Sequence, residues 1–498
     1  MTVAAVTIDL PDEDATAALA EDIAARLRPG DVVTLRGGLG AGKTTFARAL
    51  IRAIADDPAL EVPSPTFTLV QTYPGRVTVA HFDLYRLSDA GELDEIGFDD
   101  AVAEGAALVE WPERAEGRLA GDLLDIELRI AGSGRRAILS AGEGWASRLA
   151  RSLSVRAFLD GSGWAGATRR HLQGDASTRV YERVASGSRH AVLMDWAPAP
   201  ANAPRDPRAG HRARDVRAFV AIGEALRALG LSAPAVLAAD MDAGFLLLEE
   251  FPRDWLHDDH GTPIRERYLE SAAVLARIHA EPRPSVLPLP GGGSHTLPPY
   301  GDAAFAVEAE FLPDWYVPHV TSAPISAGGR AEFVALWADL IGRLRDAEKN
   351  WVLLDYHSPN IHWLADRDGT ARVGIIDYQD TMVGPSAYDV ASLCQDARVS
   401  VPLTLESEVF RHYVALRRAA APAFDSKAFE EAYAILAAHR NTKILGVFAR
   451  LAAHGRPLYL KHIPRLREYL GRSLAHPALK GYALWCRKYL PSTEKPDA

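Results

Sequence analysis

Cysteine and methionine are scarce in this chain: two and four residues among 498. Cys394 and Cys486 lie too far apart in sequence to suggest a disulfide framework or a metal-ligand motif. They read as buried thiols in a reducing compartment. No apolar run approaches the ~18 residues of a membrane span. The start, Met1-Thr-Val-Ala-Ala-Val-Thr-Ile, carries no basic region before its apolar residues, unlike a secretory leader. These absences predict a cytoplasmic protein with no membrane association. Excess positive charge is also lacking. A net charge of −10 and a pI near 5.9 exclude a surface given over wholly to nucleic acid. No internal repeat is visible.

What is present is an ordinary globular composition, 48% hydrophobic and 24% charged, in a chain too long for one core. The first chemistry-bearing stretch follows a predicted strand, Asp31–Arg36. It reads Gly37-Gly-Leu-Gly40-Ala41-Gly42-Lys43-Thr44-Thr45 and opens an apolar-periodic helix, Phe46–Ala55. Strand, G-x-x-x-x-G-K-T loop and helix together make a phosphate-binding loop. Glycines let backbone N–H groups turn inward to phosphate oxygens. Lys43 adds a point charge, the helix N-terminus adds its dipole, and the Thr44 hydroxyl is placed for magnesium.

Three further motifs follow in order: Val62-Pro-Ser64-Pro-Thr66-Phe67, His81-Phe-Asp83-Leu-Tyr85-Arg86, and Ala107-Leu-Val-Glu110-Trp111-Pro112. With the loop they resemble TsaE, the ATPase family of the bacterial system that makes threonylcarbamoyladenosine in tRNA. The resemblance covers most of residues 5–150. It implies ATP, a magnesium role for Glu110, a switch-like loop at Ser64–Thr66, and Asp83 beside the nucleotide. TsaB- and TsaD-like proteins are the implied partners, with tRNA reached through them. Gly38 departs from the family, which commonly has Asp there.

A second nucleotide motif lies far downstream. Trp351-Val-Leu-Leu-Asp355-Tyr-His-Ser-Pro-Asn360 is followed by Val373-Gly-Ile-Ile-Asp377-Tyr-Gln-Asp380, then Gly384-Pro385 and Tyr388-Asp389. Phosphoryl transfer needs a carboxylate for the acceptor hydroxyl, and an amide and a second carboxylate for magnesium. The spacing gives these to Asp355, Asn360 and Asp377. The flanking residues resemble the aminoglycoside phosphotransferase and choline kinase superfamily. Leu353 stands where that superfamily usually has His. Upstream, Leu172–Val184 reads as a strand, a turn through Gly174 and Ser177, and a second strand, with Arg179 close to the phosphates. The kinase lysine position falls on Met194, leaving phosphate charge to Arg179 or Arg183.

Gly174-Asp-Ala-Ser177, Leu193-Met-Asp195, Glu308-Ala-Glu310…Trp315 and Asn441-Thr-Lys443…Arg450 narrow the likeness. They resemble the AmgK-like anomeric kinases of N-acetylmuramate and N-acetylglucosamine, over about residues 155–475. That resemblance implies an amino-sugar acceptor phosphorylated on its C1 hydroxyl, with Glu310 and Trp315 lining the sugar pocket.

The expected architecture is an α/β P-loop NTPase domain, residues 1–150, followed by an α+β two-lobed kinase-like domain, residues 151–498. A helix over Gly142–Leu153 closes the first. A rival expectation makes the second domain a non-catalytic nucleotide-binding regulatory module. Another keeps the kinase and changes the acceptor to an aminoglycoside or choline.

Overall fold

The computed structural model describes residues 3–89, 91–115, 117–119, 123–172, 179–199 and 212–491. It forms two compact units, residues 1–197 with 236–250, and residues 198–235 with 251–498.

The first unit contains two sheets. β1 (Val3–Leu10), α1 (Glu13–Ala24), β2 (Val32–Arg36) and α2 (Lys43–Ala55) follow the predicted order. β3 (Val70–Tyr73), β4 (Val79–Asp83), β5 (Ala106–Glu110), β6 (Leu123–Ala131) and β7 (Gly134–Ala141) complete a sheet ordered β1-β7-β6-β2-β5-β4-β3. β2 pairs in parallel with both β5 and β6, and β4 in parallel with β5. Buried β2, β4 and β5 read as near-continuous apolar runs, as strands covered on both faces do. The phosphate loop leaves the carboxyl end of central β2, and Asp83 and Glu110 end the neighbouring strands β4 and β5. All three therefore meet along one sheet edge.

The second sheet is antiparallel, β11-β12-β10-β9-β8, from β8 (Thr168–Leu172), β9 (Val180–Ser186), β10 (Arg189–Asp195), β11 (Val236–Asp240) and β12 (Phe245–Glu249). Met194 is buried within it, opposite Leu246 and Tyr181. The helix expected over Gly142–Leu153 is longer, Glu143–Gly161. Trp145 and Leu149 pack into the core of the first sheet, and Val155 and Leu159 into that of the second. The apolar spacing simply continues past Leu153, so one helix serves both cores.

A buried ionic cluster joins these parts. Glu21 and Asp22 end α1, where the helix dipole disfavours negative charge. Arginines answer them. Arg169 of β8, fully buried, reaches Asp22 and Glu182 of β9, both at 2.6 Å. Arg156 pairs with Asp22 at 2.7 Å and Arg170 with Glu21 at 2.6 Å. Burial opposes ionisation of Glu182, but Arg169, Arg26 and His171 prevail and hold its carboxyl below the usual range.

The second unit is chiefly helical. Of its three short ladders among the described residues, two, Lys349–Val352 with Met382–Pro385 and Ile361–Trp363 with Val373–Ile375, carry the second nucleotide motif on their connecting loops. The long helix Ser426–Ala453 packs so closely on residues 312–316 that a Cβ on Gly446 would lie 2.2 Å from the Phe311 backbone.

Replacing Arg169 by Met strands two buried carboxylates, with Arg156 and Arg26 giving partial relief. A loss of about 3 kcal/mol or more is expected by urea unfolding of the full chain. Replacing Asp22, Arg169 and Glu182 together by apolar residues of similar volume should recover most of it. Glu182 adds a pH dependence. Its folded pKa lies below the unfolded value, so its contribution is complete above about pH 5 and fades as pH falls through the lowered folded value.

Two candidate nucleotide sites

The phosphate loop is shaped by backbone that only glycine tolerates easily. Gly37, Gly40 and Gly42 have φ of 133°, 73° and 104°, and a Cβ on Gly37 would sit 2.4 Å from the Leu128 carbonyl oxygen. Arg135 of β7 braces the loop, donating to the Ala41 and Gly40 carbonyls at 3.0 and 3.1 Å. Lys43 donates to the carbonyl oxygens of Gly37 at 2.7 Å and Gly38 at 3.0 Å, and its ammonium lies 3.6 Å from the Trp111 ring centre. Burial lowers its pKa, against attraction from Glu110, Glu113 and Asp83. Thr45 follows in the first turn of α2.

Thr44 Oγ1 donates to Glu110, 3.1 Å from Oε1, and His81 Nε2 lies 3.1 Å from that same oxygen. Asp83 accepts hydrogen bonds from Ser64 Oγ at 2.5 Å and Thr66 Oγ1 at 2.9 Å. The switch-like segment is thus tied to the strand end. Trp111 follows Glu110 with φ of 59°, uncommon for a side chain of its size. Thr44 with Glu110, and Thr66 with Asp83, form two oxygen-rich pairs at neighbouring strand ends, and oxygen is the donor magnesium prefers.

The second motif is equally tight. Asn360 Nδ2 donates to the Asp355 carbonyl at 2.9 Å, and the Asn360 carbonyl accepts from Ile376 N at 3.0 Å, one residue before Asp377. Asn360 therefore ties the two loops together. Asp377 has φ of 58°, and Gln379 Nε2 donates to its Oδ1 at 2.8 Å. Asp389, buried, accepts from the backbone N–H of Leu353 and Leu354 at 2.6 and 3.0 Å. Burial raises its pKa to about 7, although both N–H groups and Arg440 favour the charged form. Asp396 Oδ2 accepts from Ser358 N at 2.7 Å. Asp355 itself stays exposed although protein crowds around it. That crowding opposes its charge, yet His357, Arg212, Lys443 and Arg440 hold its carboxyl below the usual range.

Other expected site residues are more dispersed. Gly174 and Ser177 lie outside the described residues. Arg179 has its guanidinium carbon 5.2 Å from the Trp196 ring centre, and Arg183 pairs with Glu250 at 2.9 Å. Glu310 pairs with Arg330 at 3.1 Å, and the Trp315 ring packs at 5.5 Å against His454. Sequence reasoning misses Arg135 and Asp396. His81, Glu308, Lys443 and Asp389 stand within recognised motifs, but their pairings with Glu110, with each other and with the Leu353 turn join residues remote in sequence and emerge only in the structure.

Among the described residues no helix is long and apolar enough to cross a membrane. Residues 10–138 match the family model of the threonylcarbamoyl adenosine biosynthesis protein TsaE, and residues 168–423 that of the phosphotransferase enzyme family. Over 358 residues the chain is 36% identical to an N-acetylmuramate/N-acetylglucosamine kinase of Caulobacter vibrioides, covering 68% of this chain and 97% of that protein. A Pseudomonas aeruginosa protein of the same name is 28% identical over 310 residues, 60% of this chain and 82% of its own length. A tRNA threonylcarbamoyladenosine biosynthesis protein TsaE of Rickettsia felis is 38% identical over 128 residues, 26% of this chain and 74% of that protein. An α/β P-loop domain and a two-lobed kinase-like fold thus share one polypeptide, an enzyme of ATP-dependent phosphoryl transfer that belongs to the TsaE family through its first part and to the phosphotransferase enzyme family through its second.

Proposed function

We propose that the chain is a bifunctional cytoplasmic protein, with an ATPase subunit for tRNA threonylcarbamoyladenosine modification in residues 1–150. Residues 151–498 form a kinase that phosphorylates the C1 hydroxyl of N-acetylmuramate or N-acetylglucosamine. The observation that supports the kinase reading is the bridging position of Asn360, whose side chain holds the Asp355 carbonyl while its own backbone carbonyl accepts from Ile376 N, next to Asp377. A relaxed regulatory module has no need of that restraint. Leu353 does not weaken the reading. Its backbone N–H is held by Asp389, so the turn before Asp355 is supported without the histidine usual in the superfamily.

In the kinase, Asp355 orients the acceptor hydroxyl and takes its proton as attack on the γ-phosphate proceeds. Asn360 and Asp377 offer oxygen atoms to magnesium, which when bound with ATP draws charge off the phosphates. Glu310 and Trp315 are retained as candidate contacts to the sugar. In the first domain the loop from Gly37 to Thr45 cradles the phosphates, and Lys43 turns from the loop carbonyls to them. Thr44 and Glu110 serve the metal, and Thr66 and Asp83 flank the γ-phosphate. TsaB- and TsaD-like proteins are its partners, and tRNA is reached through them.

Lys43→Ala and Thr44→Val should each weaken ATP binding by the first domain while sugar phosphorylation persists; loss of kinase turnover in Lys43→Ala would refute independent sites. ATP hydrolysis by the isolated chain should be slow and rise on adding the TsaB- and TsaD-like proteins of the same organism. Absence of both stimulation and co-purification removes the tRNA assignment. Asp355→Asn should lower kcat by about 10²-fold or more with little change in ATP affinity. Asp377→Asn should instead weaken magnesium-dependent ATP binding. Phosphate found on C6 of the product would sink the C1 assignment.

A further inference from the structure

Two cations on one helix stand beside the element that caps the turn before the proposed base. Arg440 and Lys443 lie three residues apart on Ser426–Ala453, hence on one face. That face packs on the helix Ala387–Cys394, whose Asp389 holds the backbone N–H of Leu353 and Leu354 directly before Asp355. Arg440, buried, donates to the Gln395 carbonyl at 2.9 Å; among the described residues no carboxylate pairs with it. Lys443 lies 2.6 Å from Glu308 Oε1, and Tyr300 OH donates to Glu308 Oε2 at 2.6 Å. Both oxygens of the buried Glu308 are therefore satisfied. The ammonium has three N–H groups and gives one to Glu308.

This placement carries a cost. Burying the Arg440 guanidinium with no carboxylate partner among the described residues, and burying much of Lys443, costs desolvation. An acceptor that brings its own negative charge gives them a use. N-acetylmuramate is N-acetylglucosamine with a lactyl ether, and so with one carboxylate. Glu308 then has a clear purpose. It keeps Lys443 compensated when the site is empty or holds a neutral sugar, and leaves N–H groups free for a second carboxylate.

We propose that Lys443, supported by Arg440, is a carboxylate-binding subsite that distinguishes an acidic amino sugar from its neutral counterpart. The subsite rests on the kinase reading above.

The test uses the full chain and both sugars. Lys443→Met combined with Glu308→Gln removes the pair without stranding a buried charge. It should lower kcat/KM for N-acetylmuramate about ten- to a hundred-fold more than for N-acetylglucosamine, mainly through KM. Lys443→Arg should keep much of the preference. A second arm needs no variant: the unaltered protein should use the methyl ester of N-acetylmuramate less well than the free acid, by a similar factor. Equal losses on both sugars, or an ester used as well as the acid, would overturn the subsite and leave the kinase standing. Should the double variant not fold, the ester comparison decides. An unaltered protein that phosphorylates neither sugar removes the kinase reading, and the subsite with it.

Discussion

The contact on which the first unit depends is the buried meeting of Arg169 with Asp22 and Glu182. Placed at the end of α1, Glu21 and Asp22 are unfavourable for the helix alone. They become tolerable only when the arginines of β8 and of the helix Glu143–Gly161 close over them. Such a cluster adds little net stability over an apolar one, because desolvation consumes most of the attraction. What it supplies is uniqueness. Packing the second sheet in another register would leave several charges buried without partners.

Both candidate nucleotide sites follow a common rule. Each of these carboxylates is aimed by small, directed donors. Asp83 receives hydroxyls from Ser64 and Thr66, and Glu110 receives Thr44 beside His81. Asp389 takes two backbone N–H groups and so shapes the turn that presents Asp355. Directed donors of this kind fix orientation before substrate arrives, so less ordering remains for the reaction itself.

Much of this was legible in the chain. The phosphate loop declares itself because glycine, lysine and threonine are needed at fixed spacing, and β2 and α2 flank it as local periodicity predicts. Asp355, Asn360 and Asp377 stand out as candidates for the same reason, since their separation is set by short loops. Partners brought together by tertiary packing were not legible. Arg135 reaches the phosphate loop from a strand more than ninety positions later, and Glu308 meets Lys443 across an even longer interval. The helix Glu143–Gly161 was cut short because a change of core, invisible in its sequence, occurs midway along a continuous apolar face. The subunit-scale grouping was likewise hidden: residues 236–250 join the first unit although the chain leaves it at Ala197 and returns.

That excursion has a consequence for biosynthesis. Chains emerge from the ribosome N-terminus first, and α1 is made long before β8, with β11 and β12 later still. Until Arg169 emerges, Glu21 and Asp22 remain hydrated. Until Glu249 emerges, the central strand β10 lacks its neighbour β12 and presents an open edge. Maturation of the first unit therefore cannot finish vectorially at a domain boundary. It waits for about a hundred further residues after the phosphate-loop sheet is synthesised, an interval in which chaperone capture or a slow stretch of translation has the most to offer.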